Sequence, residues 1–340
     1  MNPIGVLLIN LGTPDAPTPS AVGRYLRQFL MDGFVIDVPK PLRWFLVNVM
    51  IVPRRKGQSA RAYQKVQLPE GSPLRVYTRA LAEKVAARLD GDRFVVEYAM
   101  RYGNPSIASS LERLRSQDAS QIIVMPMYPQ YAESSYRTAV EETKKRAEEL
   151  GLADGLSFFP VFYDRSGFIK ACAERVRETV QPWPVEQFVF SFHSLPVRHL
   201  KKLDATQSHC LIKSDCCDAI SAVNQNCYRA QCIFTARAIA RELGLRDDGY
   251  TISFQSRLGR AEWLGPQTED VLRKLAVAGC KRVAVACPSF VADCLETVEE
   301  IGIRARDTFI QAGGEELLLV PSLNSESAWV ETVVDWIREL

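Results

Sequence analysis

His193 closes an apolar run, Phe188-Val-Phe-Ser-Phe, and imidazole is the one side chain whose ordinary pKa lies near neutrality. In that position it can accept a proton or ligate a metal, although a strand-end histidine bonded to backbone explains the position equally well. The other two histidines, His199 and His209, fall in loop or insert sequence and carry little expectation of chemistry. A second group, Asp293-Cys-Leu-Glu296-Thr-Val-Glu299-Glu300, opens a helical pattern just after the apolar run Arg282–Ala286. Residues three and four apart share a helix face, so the spacing puts the carboxylates of Asp293, Glu296 and Glu300 in one ridge. Such a ridge can pass a divalent cation or take protons from a neighbouring base. The helix dipole alone would also favour carboxylates in a first turn. Glu299 lies off that face and reads as solvated. Third, Trp263-Leu-Gly-Pro-Gln-Thr follows Phe254-Gln-Ser-Arg257. A tryptophan in a Gly/Pro-bounded loop above a strand end suits the wall of a pocket for an aromatic ligand, or a cap on the core.

Five of the nine cysteines crowd between Cys210 and Cys232, at Cys210, Cys216, Cys217, Cys227 and Cys232. The start, Met1-Asn2-Pro3-Ile4-Gly5, lacks the basic patch and cleavage site of a signal peptide, so the expected location is cytoplasmic. In a reducing compartment such a cluster is more often a metal site than a disulfide framework. The paired Cys-x₂₋₄-Cys knuckles of structural zinc are absent, whereas four thiolates can hold a 2Fe–2S cluster. Zinc and free thiols remain open. Cys172, Cys280, Cys287 and Cys294 read as packing residues, the first two on helical patterns.

Eight short runs can position these groups: Val6–Leu11, Phe94–Met100, Gln121–Met125, Leu156–Pro160, Phe188–Phe192, Tyr250–Phe254, Arg282–Ala286 and Leu317–Val320. Several are continuously apolar, as strands covered on both faces must be. Helical periodicity fills the gaps at 76–89, 106–115, 139–150, 168–178, 233–243, 269–278 and 293–311. This alternation predicts α/β architecture with parallel sheets. The strands divide four and four, giving an N-terminal domain over 1–163 and a C-terminal domain over 164–324. A terminal helix over 325–340 is expected to pack back on the first domain. A (β/α)₈ barrel has the same strand count but not such uneven spacing. At 42 basic against 40 acidic residues the net charge is +2, which argues against nucleic acid as a partner. No apolar run approaches the ~20 residues that span a bilayer. Residues just beyond the strand ends, where ligands bind in open α/β sheets, include Asn10-Leu11-Gly12, Arg101-Tyr102, His193, Gln255, Phe290 and Asn324. They suit a flat, largely apolar ligand, and no Gly-x-Gly-x-x-Gly or Walker loop supports a nucleotide.

Together these strings resemble the ferrochelatase family. Asn10-Leu-Gly-Thr-Pro, Ser191-Phe-His-Ser-Leu-Pro, Phe254-Gln-Ser-Arg, Trp263-Leu-Gly-Pro-Gln-Thr and Cys287-Pro-Ser-Phe-Val-Ala-Asp-Cys-Leu-Glu-Thr stand in the family's order and spacing. The resemblance runs from Gly5 to the terminal helix, broken only by the Cys-rich stretch at about 201–231. It implies a lyase that inserts Fe²⁺ into protoporphyrin IX and releases two protons, the terminal step of haem biosynthesis. It also implies two Rossmann-like domains with four-stranded parallel sheets, related by pseudo-symmetry, with the porphyrin cleft at the strand carboxyl ends. Carried over residue by residue, His193 takes a pyrrole proton, and Glu296 lies on the opposite face to orient iron or relay charge. Asp293 and Glu300 mark an iron path. Arg101, Tyr102, Trp263 and Phe290 face the porphyrin, and Leu11 lies in a loop lining it.

Some family members bind a 2Fe–2S cluster through an internal Cys-rich segment. The resemblance thereby favours four of Cys210, Cys216, Cys217, Cys227 and Cys232 as cluster ligands. Cys232 is the least diagnostic, because cluster-free relatives often have a cysteine there. Family members also use the region of 41–56 as the lip of the cleft, which makes it a candidate for peripheral membrane contact as well as for a buried helix. Two other functions are weighed: a related chelatase using coproporphyrin or cobalt, and a non-catalytic tetrapyrrole-binding protein, which would not need the His193–Glu296 pair.

Overall fold

The computed structural model describes residues 2–257, 259 and 261–340, so Met1, the first residue of the N-terminal reading, lies outside the described residues. Each apolar run forms a strand: β1 (Ile4–Thr13), β2 (Phe94–Gly103), β3 (Gln121–Pro126), β4 (Leu156–Phe158), β5 (Gln187–His193), β6 (Tyr250–Gln255), β7 (Arg282–Ala286) and β8 (Glu316–Leu319). They form two four-stranded sheets, ordered β2-β1-β3-β4 and β6-β5-β7-β8, with every pairing parallel. Two separate sheets exclude the barrel. In both, the first strand in sequence sits inside the sheet. Those strands carry the most continuous apolar runs, and Val6, Leu7, Leu8 and Ile9 are fully buried, as are Val189 and Phe192.

The chain divides into two compact units. The first comprises the chain up to Tyr128, Glu133–Val161 and Asn324–Leu340; the second comprises Pro129–Ala132 and Phe162–Leu323.

In the first unit β1 leads into α1 (Pro19–Leu30), a helix the periodicity reading missed. Its start is set locally: Thr18 accepts the Ala21 N–H at 3.3 Å and Pro19 takes the first turn, where no N–H is needed. The apolar stretch 41–56 falls in one helical run, α2 (Lys40–Phe45), a π-helical segment (Leu46–Ile51) and α3 (Val52–Val66). It is not the buried helix that hydropathy alone suggests. Val47 and Val52 pack inward, while Leu42, Trp44, Phe45, Val49 and Met50 stand exposed. The sheet is then flanked by α4 (Pro73–Ala86), α5 (Ile107–Ser116) and α6 (Thr138–Leu150).

The second unit holds α7 (Ser166–Val180), α8 (Val197–Lys201), α9 (Tyr228–Glu242), α10 (Thr268–Val277) and α11 (Arg306–Gln311). Cys280 lies past the end of α10 rather than on it, but its side chain is buried as expected. The last helix, α12 (Ser327–Arg338), belongs to the first unit, where Trp336 stacks on Phe159 with ring centroids 5.1 Å apart. Among the described residues no helix is long and apolar enough to cross a membrane.

Candidate functional site

In the second unit β5 ends on His193, paired in register with Gln255 at the end of β6. His193 Nδ1 lies 2.6 Å from the Ser194 carbonyl oxygen, which can only accept. Nδ1 therefore carries the proton, and Nε2 keeps its lone pair. Burial pushes the imidazole below the ordinary histidine value, opposed by the Glu296 carboxylate and the Ser194 carbonyl. At neutral pH this group is an uncharged base with a carboxylate in electrostatic reach. Phe290 flanks it, ring centroids 6.2 Å apart, and Ser289 Oγ accepts the His193 backbone N–H at 3.1 Å.

The acidic segment folds differently from a regular α-helix. It forms a π-helix over Glu296–Ala305, a geometry often found at functional sites. Asp293 stands ahead of this helix, not on its face, and its Oδ1 accepts from Thr297 Oγ1 at 2.9 Å and from the Ser322 N–H at 3.2 Å. The three-carboxylate ridge thus reduces to Glu296 and Glu300. Glu299 is not solvated either. It is buried against Arg304, whose Nε lies 2.8 Å from its carboxylate, because the wide turn rotates position 299 inward.

The end of β6 ties down both Glu296 and Glu300. Gln255 is buried and donates its side-chain N–H to the Glu296 carbonyl at 2.7 Å, while Ser191 donates to its amide oxygen at 2.6 Å. Ser256 adopts a left-handed backbone conformation, φ +67°, uncommon for a residue with a Cβ. In that conformation its N–H (2.8 Å) and its hydroxyl both bond Glu300. Burial still raises Glu300, helped by the Glu296 charge, to a pKa of about 7. Trp263 pairs across an isolated bridge with Pro196, and Ser194 Oγ donates to the Leu264 carbonyl at 2.8 Å, so the tryptophan loop is tied to the His193 loop. Gln255 and Ser256 carry no signal of this role in the sequence beyond their place at a strand end.

The remaining site candidates lie in the first unit. Leu11, Arg101 and Tyr102 belong to strands, not loops, since β1 and β2 run on to Thr13 and Gly103. The strands come very close where Gly12 crosses Tyr102: a Cβ on Gly12, at φ +114°, would lie 1.8 Å from the Tyr102 carbonyl oxygen. Leu11 is half-buried against the core. Tyr102 is fully buried, so it supports Arg101 from behind instead of presenting a surface to a ligand. Asp32, unforeseen in the sequence, organises this end: its Oδ2 accepts from Arg101 Nη2 at 2.6 Å, Tyr102 Oη at 2.8 Å and Thr138 Oγ1 at 2.5 Å. Arg101 Nε also donates to Thr138 Oγ1 at 2.9 Å. Beside this network lies a cavity of about 350 Å³, lined by Gln28, Met31, Asp32, Phe34, Arg101, Thr138, Glu141, Glu142 and Lys145.

All nine cysteines are free thiols. Burial raises the pKa of Cys172, Cys280, Cys287 and Cys294, as inert packing residues require. The insert's cysteines converge. Cys216 and Cys217 have sulfurs 3.6 Å apart, and both pack with Cys227 in one small cluster. Asp204 fixes the loop by accepting the N–H groups of His209 and Cys210 at 2.9 and 2.8 Å. Cys232 is fully buried on α9. Among the described residues, no group of three or more His, Cys, Asp or Glu side chains has the arrangement of a formed metal site.

Comparison with known proteins reaches the same chemistry. The family profile described as ferrochelatase matches residues 3–340. The chain belongs to the ferrochelatase family. A ferrochelatase of Coxiella burnetii (strain Dugway 5J108-111) is 47% identical over 340 residues, 99% of this chain and 94% of the relative. One from Bdellovibrio bacteriovorus is 44% identical over 336 residues, 99% of each chain. Among solved structures, a sirohydrochlorin chelatase SirB from Bacillus subtilis subspecies spizizenii in complex with cobalt covers 99% of this chain and 94% of its own, with a TM-score of 0.54. At 10% identity that likeness concerns the fold, a chelatase-like α/β architecture. As a ferrochelatase the chain is a lyase that inserts Fe²⁺ into protoporphyrin, the terminal step of haem biosynthesis.

Proposed function

We propose that His193 and the Glu296–Glu300 pair carry the protons of metallation. Two pyrrole N–H protons must leave as iron enters, and the first needs a neutral base beside the ring. His193 meets that need: the Nδ1–H is held by the Ser194 carbonyl, and burial keeps Nε2 unprotonated at neutral pH. This is the observation that carries the reading. The carboxylate of Glu296 stabilises the imidazolium as it forms, which favours charge relay over iron orientation for that residue. Glu300, with a pKa near 7, accepts and releases a proton within the working range and passes it outward. Asp293, hydrogen-bonded to Thr297 and Ser322, holds the start of the π-helix. Phe290 and Trp263 supply apolar walls, and a pocket that fits a puckered ring better than a flat one would expose the pyrrole nitrogens. Arg101 has Nε and Nη2 committed to Thr138 and Asp32, and its remaining edge suits a porphyrin carboxylate. An anaerobic assay of purified protein with Fe²⁺ and protoporphyrin tests the reading. A haem Soret band is expected with wild type and its loss in His193→Ala; full activity of that variant sinks the assignment.

The insert's donor set suits a 2Fe–2S cluster in kind and number. Cys210, Cys216, Cys217 and Cys227 would hold it, with Cys232 fully buried on α9. Such a cluster supplies one-electron redox capacity, and metallation does not depend on it. The nine cysteines form no disulfide, which suits a cytoplasmic setting. Colourless, iron-free protein after anaerobic purification would reject the cluster. The exposed side chains of Leu42, Trp44, Phe45, Val49 and Met50, followed by Arg54, Arg55 and Lys56, form an apolar face with a basic end. That combination suits a peripheral contact with an anionic bilayer surface, testable by cosedimentation with anionic vesicles. Loss of binding in Trp44→Ser/Phe45→Ser is the expected result.

A further inference from the structure

Four of the five motif strings send one buried side chain to the same place. Ser191 comes from Ser191-Phe-His, Gln255 from Phe254-Gln-Ser, Thr268 from Trp263-Leu-Gly-Pro-Gln-Thr and Cys287 from Cys287-Pro-Ser-Phe. The register of β5 and β6 sets Ser191 opposite Ser253, so Ser191, Ser253 and Gln255 share one face of the sheet. Thr268 opens α10, and its hydroxyl lies 2.7 Å from Ser191 Oγ and 2.9 Å from Ser253 Oγ. The order of the protons follows from one end. The Glu296 carbonyl can only accept, so the Gln255 carboxamide turns its N–H to it at 2.7 Å and its oxygen to Ser191 at 2.6 Å. Ser191 gives its proton to that oxygen and can only accept from Thr268. Thr268, with its own proton given to Ser191, can only accept from Ser253. Cys287 Sγ adds a weak second donor to the Gln255 oxygen at 3.5 Å. Hydrogen bonds running head to tail polarise one another, so a change at one end is felt at the other.

We infer that Thr268 is a positioning residue for metallation. Its hydroxyl orients Ser191, Ser191 orients the Gln255 carboxamide, and the carboxamide holds the Glu296 carbonyl where the π-helix begins. Thr268 thereby acts on the place of Glu296 from the far side of the sheet end, through two intermediaries. The inference rests on the proposed role of Glu296 only for its effect on rate; the orientation of Gln255 can be read without catalysis.

Thr268→Val keeps the side-chain shape and removes the hydroxyl, and Ser191→Ala removes the next link. Each is expected to lower kcat roughly five- to tenfold, the scale of one hydrogen bond in a positioned site. KM for porphyrin should stay within about twofold, because the loss falls on a group that acts only through Gln255. The double variant should be no slower than the slower single, and Thr268→Ser, which keeps the hydroxyl, should restore the rate. Selective ¹⁵N labelling of the glutamine side chains of the full chain reads the orientation directly. The carboxamide signals absent from Gln255→Met belong to Gln255. They should move in Thr268→Val and in Ser191→Ala, and return to the wild-type position in Thr268→Ser. Thr268→Ala gives the same reading should Thr268→Val fold poorly. Unmoved Gln255 carboxamide signals on loss of the Thr268 hydroxyl overturn the inference, as do additive rate losses in the double variant. Moved signals with an unchanged kcat would instead count against the role of Glu296 and leave the Thr268 orientation of Gln255 standing.

Discussion

The carboxyl ends of the two sheets differ sharply although their strand orders are the same. In β6-β5-β7-β8 that end carries a histidine whose pKa burial lowers, His193, beside a carboxyl raised to about 7, Glu300. In β2-β1-β3-β4 it carries a closed hydrogen-bond network, with Asp32 holding Arg101, Tyr102 and Thr138. The cause lies in what surrounds each charge. Glu300 is buried beside another carboxylate, which raises its proton affinity, whereas Asp32 receives three donors on one oxygen, one of them a guanidinium. One topology therefore carries a histidine and a raised carboxyl in one unit and an ion-paired network in the other. Fold alone does not assign these roles; the side chains at the strand ends do.

The comparison breaks first at His193. His193→Ala should lower kcat roughly 10³- to 10⁴-fold at unchanged folding, the upper range for loss of a general base. The acid limb of the wild-type kcat/KM profile should lie below the ordinary histidine value, since the base must be neutral. A limb above that value would show that burial does not dominate. Next in size is Asp32→Asn, which removes the nearer counter-charge of the half-buried Arg101 and leaves it only Glu142 at 3.9 Å. It should cost about 3–5 kcal/mol in urea unfolding and raise KM more than it lowers kcat.

Glu300→Gln tests the protonation side by linkage. The folded-state pKa near 7 exceeds the ordinary glutamate value of 4.5. The wild type therefore has its full Glu300 contribution only below the lower value and loses it as pH rises through the upper one. The glutamine variant should gain stability relative to wild type across that window, by up to roughly 3 kcal/mol on its alkaline side. A pH-independent difference would place Glu300 among ordinary solvated carboxylates. Thr138→Val is the mildest change, expected to cost about 1–2 kcal/mol, with KM rising a few-fold and the pH profile unmoved. A shifted pH profile would blur the division between the two strand ends.

The sequence by itself determined the eight strands, their division into two sheets, and the placing of His193, Glu296 and Phe290 near strand ends. Continuous apolar runs and motif strings are local, and local pattern is enough to fix them. It also marked Gln255 and Ser256 as strand-end residues without revealing which groups they hold. Only the tertiary structure decided that Asp293 precedes the acidic helix, that Glu299 turns inward, and that Asp32 and Thr138 join one network. Helix type and hydrogen-bond partnership depend on what the neighbouring elements offer. The Asp32 network joins residues 32, 101, 102 and 138, and the Gln255–Glu296 bond joins β6 to the π-helix. Contacts across such separations have no periodicity to read, because packing creates them.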